Sequence, residues 1–393
     1  MVSRSNIVGV TLDGPEILER ARALAPAIAR RGDEIAGLRR LPADLVAELK
    51  AAGVFRMPMP AVWGGPEMSP RAQNEVVETL SAADASVGWC VMIGSDTGFF
   101  ASFFDEAVAR EIYPDLDMVT AGLVQPVGRA LRVPGGYRVS GRWAFGSGCT
   151  HADVILGGCM IFDGDQPVLG ANGVPETRVL MAPASAFEVL DTCHTTGLAG
   201  SGSHDYTTND LFVPAEHSFS FFEPPKRKEP LYQFAGMFIT NMHGVALGIA
   251  RRAIDVVRAL AESKLLVPEM TLMRNAPRVR IGLARAEGML GAARAYTYDT
   301  MDRVWEALHR EGGLSRELRL HLTLSRMAAF DMARDVAQLM IDTAGSSSIY
   351  ASSPLDRLLR DAITVRTHIG VQSRLMEMLA PLVVNEEPPI PFL

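Results

Sequence analysis

Twice along this chain the spacing of its apolar residues changes, and that double switch limits the folds open to it. From residue 13 to about 115 the spacing is helical. "DGPEILERARALAPAIARR" puts Asp13 at a cap position with Glu16 three residues on, and Ile17, Ala21, Leu24 and Ile28 on one face. Pro26 is expected to kink that helix. "LPADLVAELKAAGVF" repeats the pattern and stops at Gly53. From 116 to about 222 short β runs take over, with Pro134-Gly135-Gly136 marking a hairpin in "ALRVPGGYRVSGRWAF". From about 231 four long helical segments follow, the last being "PLDRLLRDAITVRTHIGVQSRLMEMLAPLV". The chain therefore reads as α+β in three parts. These are an N-terminal helical domain (1–115), a central β-barrel-like domain (116–225) and a C-terminal four-helix bundle (226–393). Strands and helices do not alternate and no GxGxxG follows a strand, which argues against a Rossmann site.

With 48% hydrophobic residues in 393, the chain can bury a large core. Its net charge of −7 argues against nucleic acid as a partner. The one basic run, Lys226-Arg227-Lys228, sits between prolines and reads as a solvated linker. Cys90, Cys149, Cys159 and Cys193 form no CxxC pair and no zinc spacing, and read as buried apolar residues in a reducing compartment. "MVSRSNIVGVTLDG" lacks the apolar core of a signal peptide, and no run reaches membrane-span length. A cytoplasmic protein with no membrane partner is expected. The stripe Met327, Phe330, Ala333, Ala337 and Met340 is expected to face another subunit in part.

"GRWAFGSGCTHADVILGGCMI", residues 141–161, sets Ser147 between two glycines just after Trp143. It reads as a wall for a flat cofactor, where small neighbours let the backbone approach and Trp143 gives an apolar backing. A plain turn serine and a core tryptophan are the alternatives. A nucleophile elbow is not, because Phe145 stands where its glycine would be. His151 and Asp153 would share a side and form a simple hydrogen bond. Ser203-His204-Asp205 looks triad-like, but triads are spatial rather than contiguous.

Other stretches carry a resemblance. "TTGLAGSGSHDYTTNDLFVP" runs from a Gly-rich turn into a strand ending in Val213-Pro214. "ALGIARRAID" opens the bundle, and "PLDRLLRDAITVRTHIG" holds an Arg-x-x-Arg-Asp helix. In this order, with the strand around Trp143, they resemble the acyl-CoA dehydrogenase fold over nearly the whole chain. That family keeps a carboxylate base either before a glycine of the last helix or in the first bundle helix. Alignment on Arg360-Asp361 and Gly370 puts Ile369 at the first place, and the second falls near Phe238. Neither residue can take a proton. His368 stands beside Ile369. The Trp143-to-Asp153 pattern and "AGSSSIYASSPLDRLLRD" (344–361) are similar to the oxygenase components of two-component flavin monooxygenases.

That resemblance implies reduced flavin (FMNH2 or FADH2) delivered by a separate flavin reductase. It implies O2 as co-substrate, a C4a-hydroperoxyflavin, and hydroxylation of a small molecule, aromatic as the first choice, by a homotetramer. N- or S-oxygenation, an acyl-CoA dehydrogenase with its base elsewhere, and a catalytically inactive scaffold are the other possibilities. Ser147 would sit at flavin N5. His368 would deprotonate a phenol or stabilise the hydroperoxide, from a helical face shared with Asp361, Val365 and Gln372. Trp143, Phe145, Ser147, Gly345 and Ser346 would hold the cofactor, and Trp89 and His368 the substrate, with no metal. Arg274 stands where the family keeps an arginine for the flavin phosphate of a neighbouring subunit. The accompanying Phe and Gln fall here on Ala276 and on Pro277 or Arg280.

Overall fold

The computed structural model describes residues 12–170, 173–268, 270–390 and 393; most of the stretch read for a signal peptide lies outside them. The helical N-terminal part comprises α1 (Gly14–Arg30), α2 (Gly32–Leu38), α3 (Ala43–Ala52), α4 (Pro70–Ala83), α5 (Ala85–Gly94), α6 (Thr97–Ala101) and α7 (Glu106–Ile112). Asp13 caps α1 by accepting from the Glu16 N–H, and Ile17, Ala21 and Ile28 are its buried face. α3 ends at Gly53, whose φ of 78° suits glycine.

Strands β1 (Thr120–Val133), β2 (Gly136–Gly146), β3 (Val154–Asp163), β4 (Gln166–Pro167), β5 (Thr177–Pro183), β6 (Glu188–Leu190), β7 (His204–Pro214) and β8 (Ser218–Phe219) form one sheet. Its order is β6-β7-β2-β1-β3-β5-β8, with β4 on β3. The path does not close, so the barrel-like domain is an open sheet. The expected hairpin joins β1 and β2 at Val133 and Gly136. β1 runs parallel to β3, with a bulge between Leu123 and Gly128. One side of the sheet, including Val154, Leu156 and Met181, joins the main helical core. The other packs Trp143, Tyr206, Ile155 and Cys159 into a separate cluster.

The last part holds α8 (His243–Ser263), a β9–β10 ribbon (Leu265–Leu266, Thr271–Leu272), α9 (Pro277–Glu311), α10 (Arg316–Ala344), α11 (Leu355–Val365) and α12 (Arg374–Val383). Two expectations are corrected here. The fourth bundle segment is two helices, because side chains hold the chain in a turn between them. Arg366 donates to the Val371 carbonyl, His368 Nδ1 accepts from the Gly370 N–H, and Arg326 of α10 donates to the Gly370 carbonyl. The α10 stripe does not await a partner either: Met327, Phe330, Ala333, Ala337 and Met340 are all buried within this chain. Among the described residues no helix is long and apolar enough to cross a membrane.

Candidate active site

α5 carries apolar residues all round and is buried almost throughout. Asp84 caps it, accepting from the Ser86 and Val87 N–H groups. This fixes Trp89 against the end of β2. There the Trp89 indole N–H donates to Ser147 Oγ at 2.9 Å. The hydroxyls of Ser147, Ser203 and Ser201 follow in a chain, each link 2.7 Å. Trp89 also meets the His368 ring edge-to-face at 5.3 Å between centroids. Trp89, Phe145, Ser147 and His368 thus line one cavity of about 290 Å³, with Gly122, Gly197, Val365 and Gln372 in its wall.

A second cavity of about 300 Å³ abuts the first. Its walls are mostly apolar, from Met92, Phe100, Leu156, Phe238, Ile239 and Met242. The two share Ile93, Gly122, Leu123, Gln125, His368 and Ile369. Both positions where the dehydrogenases would keep a base, Ile369 and Phe238, therefore line the second cavity without a carboxylate. Asp96 does line it, but burial without a charge partner pushes its carboxyl well above the usual range, which disfavours its charged form. Burial, and then the Arg326 charge, hold the His368 imidazole down at about 4. The ring is neutral near pH 7. Its Nδ1 already accepts from Gly370 N–H at 3.1 Å, so the ring proton sits on Nε2, which is a donor.

On the other side of the 195–199 loop lies a wide depression of about 830 Å³, lined by Arg30, Arg252, Arg357 and Arg360. Asp361 faces it and accepts from the Leu198 N–H at 2.6 Å; burial, opposed by that bond and helped by nearby Asp84, lifts its carboxyl to about 7.

Four of the sequence-derived residues lie elsewhere. Trp143 is fully buried on the far side of the sheet, stacked on Tyr206, with its N–H on the Gly158 carbonyl at 2.8 Å. Strand alternation breaks at Phe145, whose φ of 59° turns Phe145 and Ser147 to the cavity side. Arg274 is half exposed before α9, paired with Glu262. Gly345 and Ser346 turn the chain at the end of α10 toward Ser348–Ser353, which line the arginine-rich depression. The face assigned to Asp361, Val365, His368 and Gln372 also divides. The last three share the first cavity and Asp361 faces the depression, because α11 stops at Val365.

Ser203-His204-Asp205 is no triad: His204 Nδ1 accepts backbone N–H groups from Thr192 and Cys193, and Asp205 pairs with Arg142. The expected His151–Asp153 bond is absent. Asp153 pairs with Lys50 at 2.7 Å and both His151 ring nitrogens lack a partner. Sequence reasoning missed the serine chain, Arg326, Asp96 and the arginine set. Arg357 and Arg360 lay inside the motif "PLDRLLRD". Arg326 lay one turn before Phe330 on an apolar stripe, an odd place for a charge.

The donor set fits a flavin. A hydroxyl chain and an indole N–H edge the first cavity, glycines leave its wall without side chains, and arginines able to hold phosphate lie beyond the adjoining loop. Packing by itself requires glycine at two of these places, since added Cβ atoms on Gly122 and Gly197 would lie 2.1 and 2.2 Å from the backbone carbonyl oxygens of Leu156 and Arg360. Comparisons agree. The family descriptions "Acyl-CoA dehydrogenase, N-terminal domain" and "C-terminal domain" match residues 16–116 and 242–373. An indole-3-acetate monooxygenase of Pseudomonas putida is 33% identical over 84% of this chain and 84% of its own length. The flavin-dependent monooxygenase oxygenase subunit HsaA of Rhodococcus jostii is 27% identical, over 89% and 93%. The structure of XiaF from a Streptomyces species, in complex with FADH2 and glycerol, superposes with a TM-score of 0.87 at 25% identity, covering 97% of this chain and 98% of that one.

The fold and site define a protein of the acyl-CoA dehydrogenase fold. Within it, the chain belongs to the flavin-dependent monooxygenases, as an oxygenase component that works with a separate reductase on a small molecule.

Proposed function

We propose that this chain hydroxylates a small aromatic molecule, with reduced FMN or FAD in the Trp89–Ser147 cavity and the substrate in the apolar cavity beside it. The observation that carries this is His368 on the wall common to both, with Ile369 where an acyl-CoA dehydrogenase would need its base. When bound, reduced flavin supplies two electrons that activate O2, one oxygen atom going to the substrate and the other to water. The chain's own residues orient and protect. The Trp89 N–H occupies one acceptor site of Ser147 Oγ, so the Ser147 proton can go to Ser203 while its second lone pair is free to accept the N5–H of a reduced flavin. The His368 Nε2–H supports a donor role toward oxygen in the gap between the cavities. Accepting a phenol proton is disfavoured, because Nδ1 is already engaged. Met and Phe walls exclude the water that would divert oxygen to peroxide. Phosphate groups of the flavin would fall to Arg357 and Arg360 rather than to Arg274.

A homotetramer is inferred as well. Ile349 and Tyr350, 81% and 66% exposed at the rim of the arginine-lined depression, suit cover by a second copy. A cytoplasmic setting fits four free, buried cysteines, and a native disulfide would argue against it. The protein is expected to purify nearly colourless, to bind reduced flavin far more tightly than oxidised, and to sediment as a tetramer. A yellow protein with stoichiometric, slowly exchanging FAD would contradict the proposal, and a monomeric mass would contradict the assembly.

A further inference from the structure

Arg326 is a charge in an apolar place. It is 1% exposed on α10, one turn before Phe330, and it lines the second cavity. Its Nε donates to the Gly370 carbonyl at 2.9 Å, while Nη2 has no hydrogen-bond partner and the side chain forms no ion pair among the described residues. A buried guanidinium without a counter-ion is strongly disfavoured unless something compensates it. Among the described residues no ion-paired partner does so. Asp96, the carboxylate lining the same cavity, makes no ion pair with it, and burial pushes its carboxyl well above the usual range, which disfavours the charged form. His368 and His243 are held neutral, each pushed down by burial first and by the Arg326 charge second. Arg326 itself keeps its proton at neutral pH, though burial lowers it to about 10. The cavity thus carries an uncompensated positive charge among walls such as Phe100, Leu156, Phe238 and Ile239.

We propose that the substrate is an aromatic acid, its ring held between the apolar walls and its carboxylate taken by Arg326. This rests on the proposed function, since it assigns the second cavity to the substrate. A volume of about 300 Å³ suits a molecule of one or two rings. The geometry also makes Arg326 a specificity determinant. A neutral isostere leaves the guanidinium unpaired in its apolar site, and the acid does not.

The test compares two acid–amide pairs by anaerobic calorimetry on the whole protein saturated with dithionite-reduced FMN or FAD. The pairs are indole-3-acetate with indole-3-acetamide, and 4-hydroxyphenylacetate with 4-hydroxyphenylacetamide. In the wild-type protein the acid of at least one pair is expected to bind tenfold or more tightly than its amide. Arg326→Met is expected to weaken that acid about 10- to 100-fold more than it weakens the amide, the size of a charged hydrogen bond, the change in the amide reporting any loosening of the Gly370 turn that Arg326 also holds. Arg326→Lys should restore part of the loss. The wild-type comparison needs no variant to fold. Equal affinities for acid and amide, or binding of neither, with reduced flavin still bound, overturns the assignment to Arg326 and leaves the flavin site standing. Failure of reduced flavin to bind at all overturns both.

Discussion

His368→Asn is expected to cut product formation by at least tenfold while reduced flavin is still bound and still oxidised, its electrons going to hydrogen peroxide. The asparagine carbonyl can accept the Gly370 N–H as His368 Nδ1 does at 3.1 Å, so the turn between α11 and α12 is kept. What is removed is the Nε2–H. A positioned proton donor contributes about 10²–10⁴-fold, roughly 3–5 kcal/mol of barrier. Its pH behaviour follows from its surroundings. Burial and the Arg326 charge hold the ring at about 4, below the ordinary 6.5. The wild-type rate should therefore show no histidine step between about pH 6 and 8 from this residue. Stability follows the same shift. The neutral ring's contribution is complete above about 6.5 and is lost as the pH falls toward about 4, because the unfolded chain takes up a proton that the folded ring refuses. Unchanged yield and coupling in His368→Asn would reduce the residue to a packing role. A rate that titrates near 6.5 and loses that step in the variant would contradict the neutral donor.

Trp143→Ala is expected to destabilise the fold by about 3–5 kcal/mol, the usual cost of emptying a large aromatic site. Glycines shape this site. Added Cβ atoms on Gly128, Gly141 and Gly157 would lie 2.3, 2.9 and 2.7 Å from the indole ring, so the ring fills a slot that only glycine walls permit. The substitution also strips the Gly158 carbonyl of the indole N–H it accepts. A lowered urea midpoint, with flavin affinity kept in the folded fraction, is the expected result. A protein of wild-type stability that has lost flavin affinity would return Trp143 to the cofactor wall.

Much of the architecture was legible because it rests on period. The switches near 116 and 231 are apolar spacings that physical packing must honour, and Asp13 and Gly53 mark helix ends by chemistry local to them. Ser147 was legible from its flanking glycines, and His368 from its place beside an aliphatic residue where a carboxylate was due. The side of the sheet taken by Trp143 was not legible, since the reversal at Phe145 is a left-handed backbone turn at a non-glycine residue. Nor was the break after Val365. It depends on Arg326 and Arg366 reaching carbonyls of the turn, and one of those arginines is 44 residues away. The α10 stripe looked like an intersubunit face because composition alone does not say which neighbour covers an apolar surface. Here α8 and α9 cover most of it, and Leu375 of α12 and Leu393 cover Met327.

The most direct test is isotopic. The protein would be supplied with enzymatically reduced FMN or FAD under ¹⁸O2, with an aromatic substrate such as indole-3-acetate, and the product examined by mass spectrometry. One atom of ¹⁸O in the product, dependent on reduced flavin and lost in His368→Asn, is the predicted result. No label in any aromatic product, together with reduction of tightly bound oxidised FAD by an acyl-CoA, would contradict it.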